Sequence, residues 1–417
     1  MRVDMNTKMT WPRWPVADEN TWARVRAVLE SGRWAISGAS VGEPSQEQQF
    51  ATAFAKWNGV KHCVTVDHGS SALVSALEAL DLGYGDEVIV PGMTWVAPVL
   101  AVLSVNATPV VVDVEPDTFC LSAAGAAAAI TSKTRAILPV HLYGCMVDMD
   151  AIEALAAKHD LWVVEDSAHS HGSQWKGKNA GTMGDIGIFS MQQGKVLTSG
   201  EGGAAVTNDD TFKERLELSA WNSRRRLDAS TVKPGNLQLV ETTARYGTNR
   251  CLSEFQAAIL LDQLPRLEEQ NRKREKNARW LDGKLAEIEG LEPMRRLPQI
   301  TRQTYYGYVI RVNPTVFGQP ALPMIAKLRE LLGMGDFLLH GAYKPLSNNP
   351  LYAPHPKMHA LEPAYRASLK VADLKLPNSE AGYLNSIVFH HSMLLGDEQH
   401  MQAVVDAFRT LQRTSRS

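Results

Sequence analysis

The sequence predicts an α/β protein: a large, mostly parallel sheet with helices on both faces, then a smaller C-terminal α/β domain. Three observations predict it. Short Val/Ile-rich runs alternate with helix-like segments of about ten residues, the pattern of successive β-α units. After Ser253 the pattern changes to long charged helices and mixed elements. A chain of 417 residues suits one large domain plus a smaller one.

The elements follow in order. Residues 61–66 read as a strand and 70–80 as a helix; 87–91 as a strand and 95–105 as a helix. Residues 109–114 and 135–141 read as strands, with helices at 123–130 and 148–159 after them. Residues 161–165 and 185–189 are short apolar strands. In such sheets ligands bind beyond the carboxyl ends of the strands. The segments 67–71, 92–95, 141–144 and 166–169 all follow strands and are expected on one edge. Charged helices occupy 253–288, and 306–312 reads as a strand. The division is placed at 1–252 for the large domain, which carries the candidate site, and 253–417 for the small one.

Bulk properties exclude several functions. The 43 basic and 45 acidic side chains nearly balance. That leaves no electrostatic footprint for nucleic acid or an anionic membrane. No apolar run approaches membrane-spanning length, and the N-terminus lacks a secretory apolar region. The cysteines Cys63, Cys120, Cys145 and Cys251 are scattered, with no CxxC pair. They read as reduced thiols of a cytoplasmic protein rather than disulfides or a zinc site.

Lys195 is the most informative residue. It follows the strand ending at Ser190, and Ser199-Gly200-Glu201-Gly202-Gly203 comes soon after. Small residues there suit a tight turn against something bulky. A lysine on such a loop can form a Schiff base with an aldehyde cofactor. A lone lysine is more often a solvated surface residue; its company lifts this one. Asp166 ends the strand 161–165, where a carboxylate can pair with a pyridinium nitrogen. Strand alternation turns Glu165 to the other side, as a structural group. Gly69-Ser70-Ser71 opens a helix whose free N–H groups and dipole favour an anion, although serine is also an ordinary helix cap. Ser190 is a further phosphate donor. Trp95 can stack on a flat ring or simply pack in the core. Schiff-base lysine, ring carboxylate and phosphate cradle are together what pyridoxal 5'-phosphate requires. A metal reading of Asp166, His169 and His171 lacks a further ligand cluster and leaves the Lys195 segment unexplained, so no metal is expected.

These residues carry a likeness. The stretches 94–97 (TWVA), 165–172 (EDSAHSHG), 190–203 and 247–249 (GTN) fall in the order and spacing of the DegT/DnrJ/StrS aminotransferases, which the chain resembles from about Trp11 to Phe408. Within that family, 94–97, 189–193, 251–258 and 301–306 look closest to the branch acting on cyclitol ketones. The resemblance implies an aspartate-aminotransferase-like fold, fold type I. It implies Lys195 as Schiff-base lysine and proton shuttle, Asp166 at the ring nitrogen and Trp95 on the ring. Gly69, Ser70, Ser71 and Ser190 would hold the phosphate. Asn249 would reach it from the neighbouring subunit, giving a homodimer with shared sites. The family usually has Gln where His169 stands, near the phenolic oxygen; imidazole can still donate there.

The implied reaction is transamination in two half-reactions sharing one site, from L-glutamine or L-glutamate to scyllo-inosose, 2-deoxy-scyllo-inosose or valienone, in aminocyclitol antibiotic biosynthesis. Candidates for holding a polyhydroxylated ring are His141, Tyr143 and His169 from the large domain, and Tyr343, His390 and His391 from the small one. Because His390 and His391 alternate, at most one should face the site. One alternative is a nucleotide-linked keto-sugar aminotransferase, for which Arg224-Arg225-Arg226 is the candidate diphosphate cluster. Another is an enzyme like the 3-amino-5-hydroxybenzoate synthases. Lys195 argues against the family's sugar dehydratases, which carry His there, and the Lys195/Asp166 pair argues against a purely regulatory role.

Overall fold

The computed structural model describes residues 9–353 and 373–415. Helices α1 (Glu19–Ser31) and α2 (Gln46–Asn58) come first, both closed by capping boxes and left-handed glycines. Then the β-α units begin: β1 (His62–Val66), α3 (Gly69–Ala79), β2 (Glu87–Pro91), α4 (Ala97–Ser104), β3 (Thr108–Val112), α5 (Ala123–Ala129), β4 (Thr134–Ile137), α6 (Met149–His159) and β5 (Trp162–Asp166). Strands β6 (Ile186–Ser190) and β7 (Gly203–Thr207) and helix α7 (Asp210–Ala220) complete the large layer.

These strands form one seven-stranded sheet in the order β1-β7-β6-β5-β4-β2-β3. Strand β7 runs antiparallel to both its neighbours, and the remaining pairs are parallel. Side-chain alternation explains the Val/Ile runs. Val88 and Val90 of β2 enter one apolar cluster with Leu73 and Val102 from α3 and α4. Ile89 between them enters another with Ala126 and Ile152 from α5 and α6. Both faces are covered by helices, so every position of β2 is buried.

Two boundaries differ from expectation. The strand expected at 135–141 stops at Ile137, because Pro139 has no N–H to give the ladder. The chain then makes a short turn at Leu142–Gly144. The helix expected from 95 begins at Ala97, with Pro98 in its first turn.

The segment expected as several helices at 253–288 is one, α8 (Glu254–Leu285), capped by Ser253. Its first half packs on α1 and α2. Its second half gives Ala278, Leu281 and Leu285 to the core of a second sheet. That sheet is antiparallel, with order β8 (Leu291–Pro293), β9 (Gly307–Val312), β11 (Ser386–His390), β10 (Leu339–Gly341). Helices α9 (Ala321–Leu332) and α10 (Glu398–Ser415) back it. We propose the division at 252/253 for the two sheets only, since α8 serves both layers and Trp11 packs in the second core. None of the described helices is long and apolar enough to cross a membrane, and all four cysteines are free.

Candidate active site

Three segments converge at the carboxyl edge of the large sheet because two positions lack a Cβ. A Cβ on Gly69 would lie 2.6 Å from the Cβ of Ser190, and one on Gly203 would lie 2.4 Å from the carbonyl oxygen of His68. Glycine thus lets the start of α3 meet the end of β6 and the start of β7. The N-cap of α3, His68, makes no side-chain capping bond. The helix start therefore presents donors and the positive end of its dipole, with Ser70 beside them. Above this floor is a cavity of about 360 Å³.

Asp166 enters the cavity from the end of β5. Its backbone is fixed on both sides, its N–H donating to the Pro139 carbonyl and its carbonyl accepting from His141 N–H. Its Oδ1 accepts from Ala168 N–H at 3.0 Å. Burial holds the carboxyl above the usual carboxylate range, against the pull of that amide, Lys195 and His141. Such a carboxyl gains most from a cationic N–H partner delivered into the cavity.

Lys195 comes from the loop joining β6 to β7, and only 9% of it is exposed. Its N–H donates to the Gln192 carbonyl at 2.8 Å. Met191 N–H donates to Gly202 and Gln193 N–H to Gly200, which closes the loop on the glycine turn. Gly202 has φ +152°, a conformation that suits glycine. The Lys195 Nζ stands 4.3 Å from the centroid of the Tyr306 ring, a cation–π contact.

His169 and Tyr306 form one wall, their rings stacked at 3.8 Å. The His169 Nδ1 accepts from Tyr143 N–H at 3.3 Å. Burial first, then the charge of Lys195, hold this imidazole well below its ordinary pKa. It is therefore neutral at pH 7 with its proton on Nε2, a hydrogen-bond donor. The Tyr306 and Tyr343 hydroxyls lie 3.3 Å apart, and Trp95, 48% exposed, stands at the mouth near Tyr343.

The cavity brings together Gly69, Ser70, Trp95, Asp166, His169, Ser190, Lys195 and Tyr343. Ser71 lies in the first turn of α3 but does not line it. Asn249 is exposed and away from its own chain's cavity, its Oδ1 3.4 Å from Cys251 N. Four substrate candidates are displaced. His141 is buried beneath the floor, with one ring nitrogen on Glu165 at 2.9 Å and the other accepting from Val147 N–H at 3.2 Å. Glu165 itself takes the N–H groups of Gly181, Met183 and Gly184, the structural part alternation gives it. Tyr143 stands behind the wall, its hydroxyl accepting from Tyr343 N–H at 2.9 Å. His390 and His391 both turn to the Gly194 carbonyl, at 3.1 and 3.2 Å, so neither lines the cavity. Their alternation fails because β11 ends at His390 and the chain turns there.

Tyr306, Thr94, Gln192, Glu201 and His68 also line the cavity and were not among the sequence candidates. Tyr306 arrives from just before β9 of the second sheet; the stretch 301–306 carried the family likeness, but nothing in it placed Tyr306 beside Lys195. The Arg224–Arg226 run is a strand away from the cavity. Arg224 Nε donates to the Trp221 carbonyl, and Arg226 pairs with the buried Glu47. Among the described residues, no group of three His, Cys, Asp or Glu side chains is placed to hold a metal ion.

Residues 15–409 match the model of the DegT/DnrJ/EryC1/StrS aminotransferase family. The chain is 44% identical over 399 residues to the L-glutamine:2-deoxy-scyllo-inosose aminotransferase of Streptoalloteichus tenebrarius, covering 95% of this chain and 93% of that one. It is 40% identical over 400 residues to the L-glutamine:scyllo-inosose aminotransferase of Streptomyces griseus, covering 96% and 93%. Among solved structures, 3-amino-5-hydroxybenzoic acid synthase superposes with a TM-score of 0.83 at 28% identity, covering 99% of this chain and all of that one.

Proposed function

Because the chain belongs to the DegT/DnrJ/EryC1/StrS aminotransferase family, we propose that it moves an amino group from L-glutamine to a cyclitol ketone, with pyridoxal 5'-phosphate as cofactor. The observation that carries the chemistry is the meeting of Lys195, Asp166 and the uncapped start of α3 around one cavity. The residues fit the cofactor. Lys195 would hold its aldehyde carbon, Asp166 its ring nitrogen, and Gly69, Ser70 and Ser190 its phosphate, with Ser71 close by in the first turn of α3. Trp95 would cover the ring, and the neutral His169 would donate to the phenolic oxygen. When bound, the cofactor supplies the carbonyl that accepts the amino group and the electron-poor ring that stabilises a carbanion. The chain's own part is to hold that ring and to move a proton with the Lys195 amine.

The acceptor assignment rests on the relatives' substrates and on the lining. Among the described residues that line the cavity, Lys195 is the one lysine or arginine. A nucleotide diphosphate needs cations there, whereas a neutral polyol needs donors and acceptors such as Thr94, Gln192, His169 and the Tyr306/Tyr343 hydroxyls. Arg224 and Arg226 are engaged elsewhere on this chain, which weakens the nucleotide-sugar reading. Donor and acceptor would share one site, so ping-pong kinetics are expected. The protein is expected to work in the cytoplasm.

A panel assay tests this. Glutamine and glutamate serve as donors, and scyllo-inosose, 2-deoxy-scyllo-inosose, valienone and a nucleotide-linked 4-keto sugar as acceptors. The two inososes with glutamine should give the highest kcat/KM. Preference for the nucleotide sugar would overturn the acceptor while leaving the transfer chemistry standing.

Asn249 carries a separate expectation. If it serves the cofactor phosphate of a neighbouring subunit, the working unit is a homodimer with shared sites. Asn249→Ala should then retain cofactor poorly. Mixing it with Lys195→Ala protein should restore activity, since each hybrid dimer has one site with both residues intact. No restoration, with subunit exchange shown by tagged chains, would count against a composite site.

A further inference from the structure

The peptide just before Lys195 is held from outside its own loop. Trp14 Nε1–H donates to the Gln193 carbonyl at 2.9 Å. The next carbonyl, Gly194, accepts from both His390 and His391 through Nε2. The His390 tautomer agrees with this. The His390 Nδ1 accepts from Ser392 N–H, which leaves its proton on Nε2. Burial pushes His390 down to about 3 and His391 well below its ordinary range, so both rings are neutral donors at working pH.

The donors are themselves braced. The Trp14 ring meets His391 edge-on at 4.6 Å. The buried guanidinium of Arg274 lies 5.2 Å from the Trp14 ring centroid and bonds Asn271 Oδ1 at 2.9 Å. Asn271 in turn donates to the His171 carbonyl at 3.0 Å, on the segment following Asp166. The strand of chain carrying Trp14 is tied on both sides. Trp11 Nε1–H donates to the Leu332 carbonyl at the end of α9, and Gln263 of α8 donates to the Val16 carbonyl.

We propose that Trp14 and His391 are positioning residues: residues 11–16 form a strap across the loop, and with the end of β11 it fixes the Gln193 and Gly194 carbonyls and so aims the Lys195 amine. The two carbonyls precede Lys195 directly, so a rotation of either peptide swings the lysine stem. The strap ties that peptide to the second sheet and to α8, neither of which contributes the lysine. The inference rests on Lys195 being the cofactor lysine, and it adds a brace from outside the loop to the loop's own bonds and the Tyr306 contact.

Trp14→Phe tests it, because the ring packing on His391 and Arg274 is largely kept while the N–H is lost. Expected is a fall in kcat of about tenfold, the worth of one hydrogen bond, with KM for both substrates nearly unchanged. In cofactor-free protein, amide exchange at residues 193–196 should be faster than in wild type, while exchange in β2 and β5 is unaltered. His391→Phe, which removes the donor to Gly194 and keeps a ring, should give the same signature and serves if Trp14→Phe does not fold. Wild-type kcat together with wild-type exchange at 193–196 in a folded variant overturns the strap. A wild-type enzyme without transfer activity overturns the functional reading instead, and the exchange measurement still decides the strap.

Discussion

Lys195→Ala should abolish transfer. The loss in kcat is expected to reach at least about 10⁴-fold, since general acid–base catalysis alone contributes roughly 10²–10⁴ and the covalent hold on the cofactor goes as well. Wild-type protein should be yellow, and borohydride should fix the cofactor to the peptide containing Lys195; the variant should show neither. The fold should survive, because the side chain meets the Tyr306 ring through its Nζ and belongs to none of the apolar clusters. Near-normal turnover in the variant would falsify the assignment.

Asp166→Asn should lower kcat by about a hundredfold, roughly 3 kcal/mol, the scale seen when a preorganised electrostatic contact is removed. An amide cannot keep a proton on a pyridine nitrogen. The carboxylate can, and its surroundings favour such pairing, because burial raises its pKa and a cationic partner would relieve the cost. The Ala168 N–H bond to Oδ1 can persist in the variant with the amide oxygen, so thermal stability should change little. In the cofactor-free protein the sign is definite. The folded pKa lies above the unfolded one, so this group's contribution to stability falls as pH rises from the ordinary carboxylate range through the raised folded pKa. Asp166→Asn should flatten that part of the stability–pH curve. An ordinary rate in Asp166→Asn would mean that the ring nitrogen is held elsewhere.

Much of the fold was legible in the sequence for a simple reason. A sheet covered on both faces needs continuous apolar strands, and Glu87–Pro91 and Ile186–Ser190 show them as uninterrupted runs. Asp166 and Lys195 were legible because each sits at or just beyond a strand end, on the edge where the fold gathers ligands. The helices expected to open at 148 and 253 do open there, and the structure shows Asp148 and Ser253 as their caps. Where the structure differs, the cause is again local: Pro139 ends one strand early. Neither His390 nor His391 faces the cavity, and the chain's turn after His390 brings both rings to one carbonyl.

The α/β class, the strand-end lysine and carboxylate, and the glycine turn beside them could all be read along the chain, because each is a matter of period, spacing or residue type over a few positions. Which side chains share the cavity could not. Packing brought Tyr306 from the second sheet under Lys195, set His141 beneath the floor on Glu165, turned His390 and His391 onto one carbonyl, and laid Trp14 beside Gln193. Those contacts join residues up to about two hundred positions apart. They follow from how two sheets and one shared helix meet, and that geometry leaves no periodic trace in the chain.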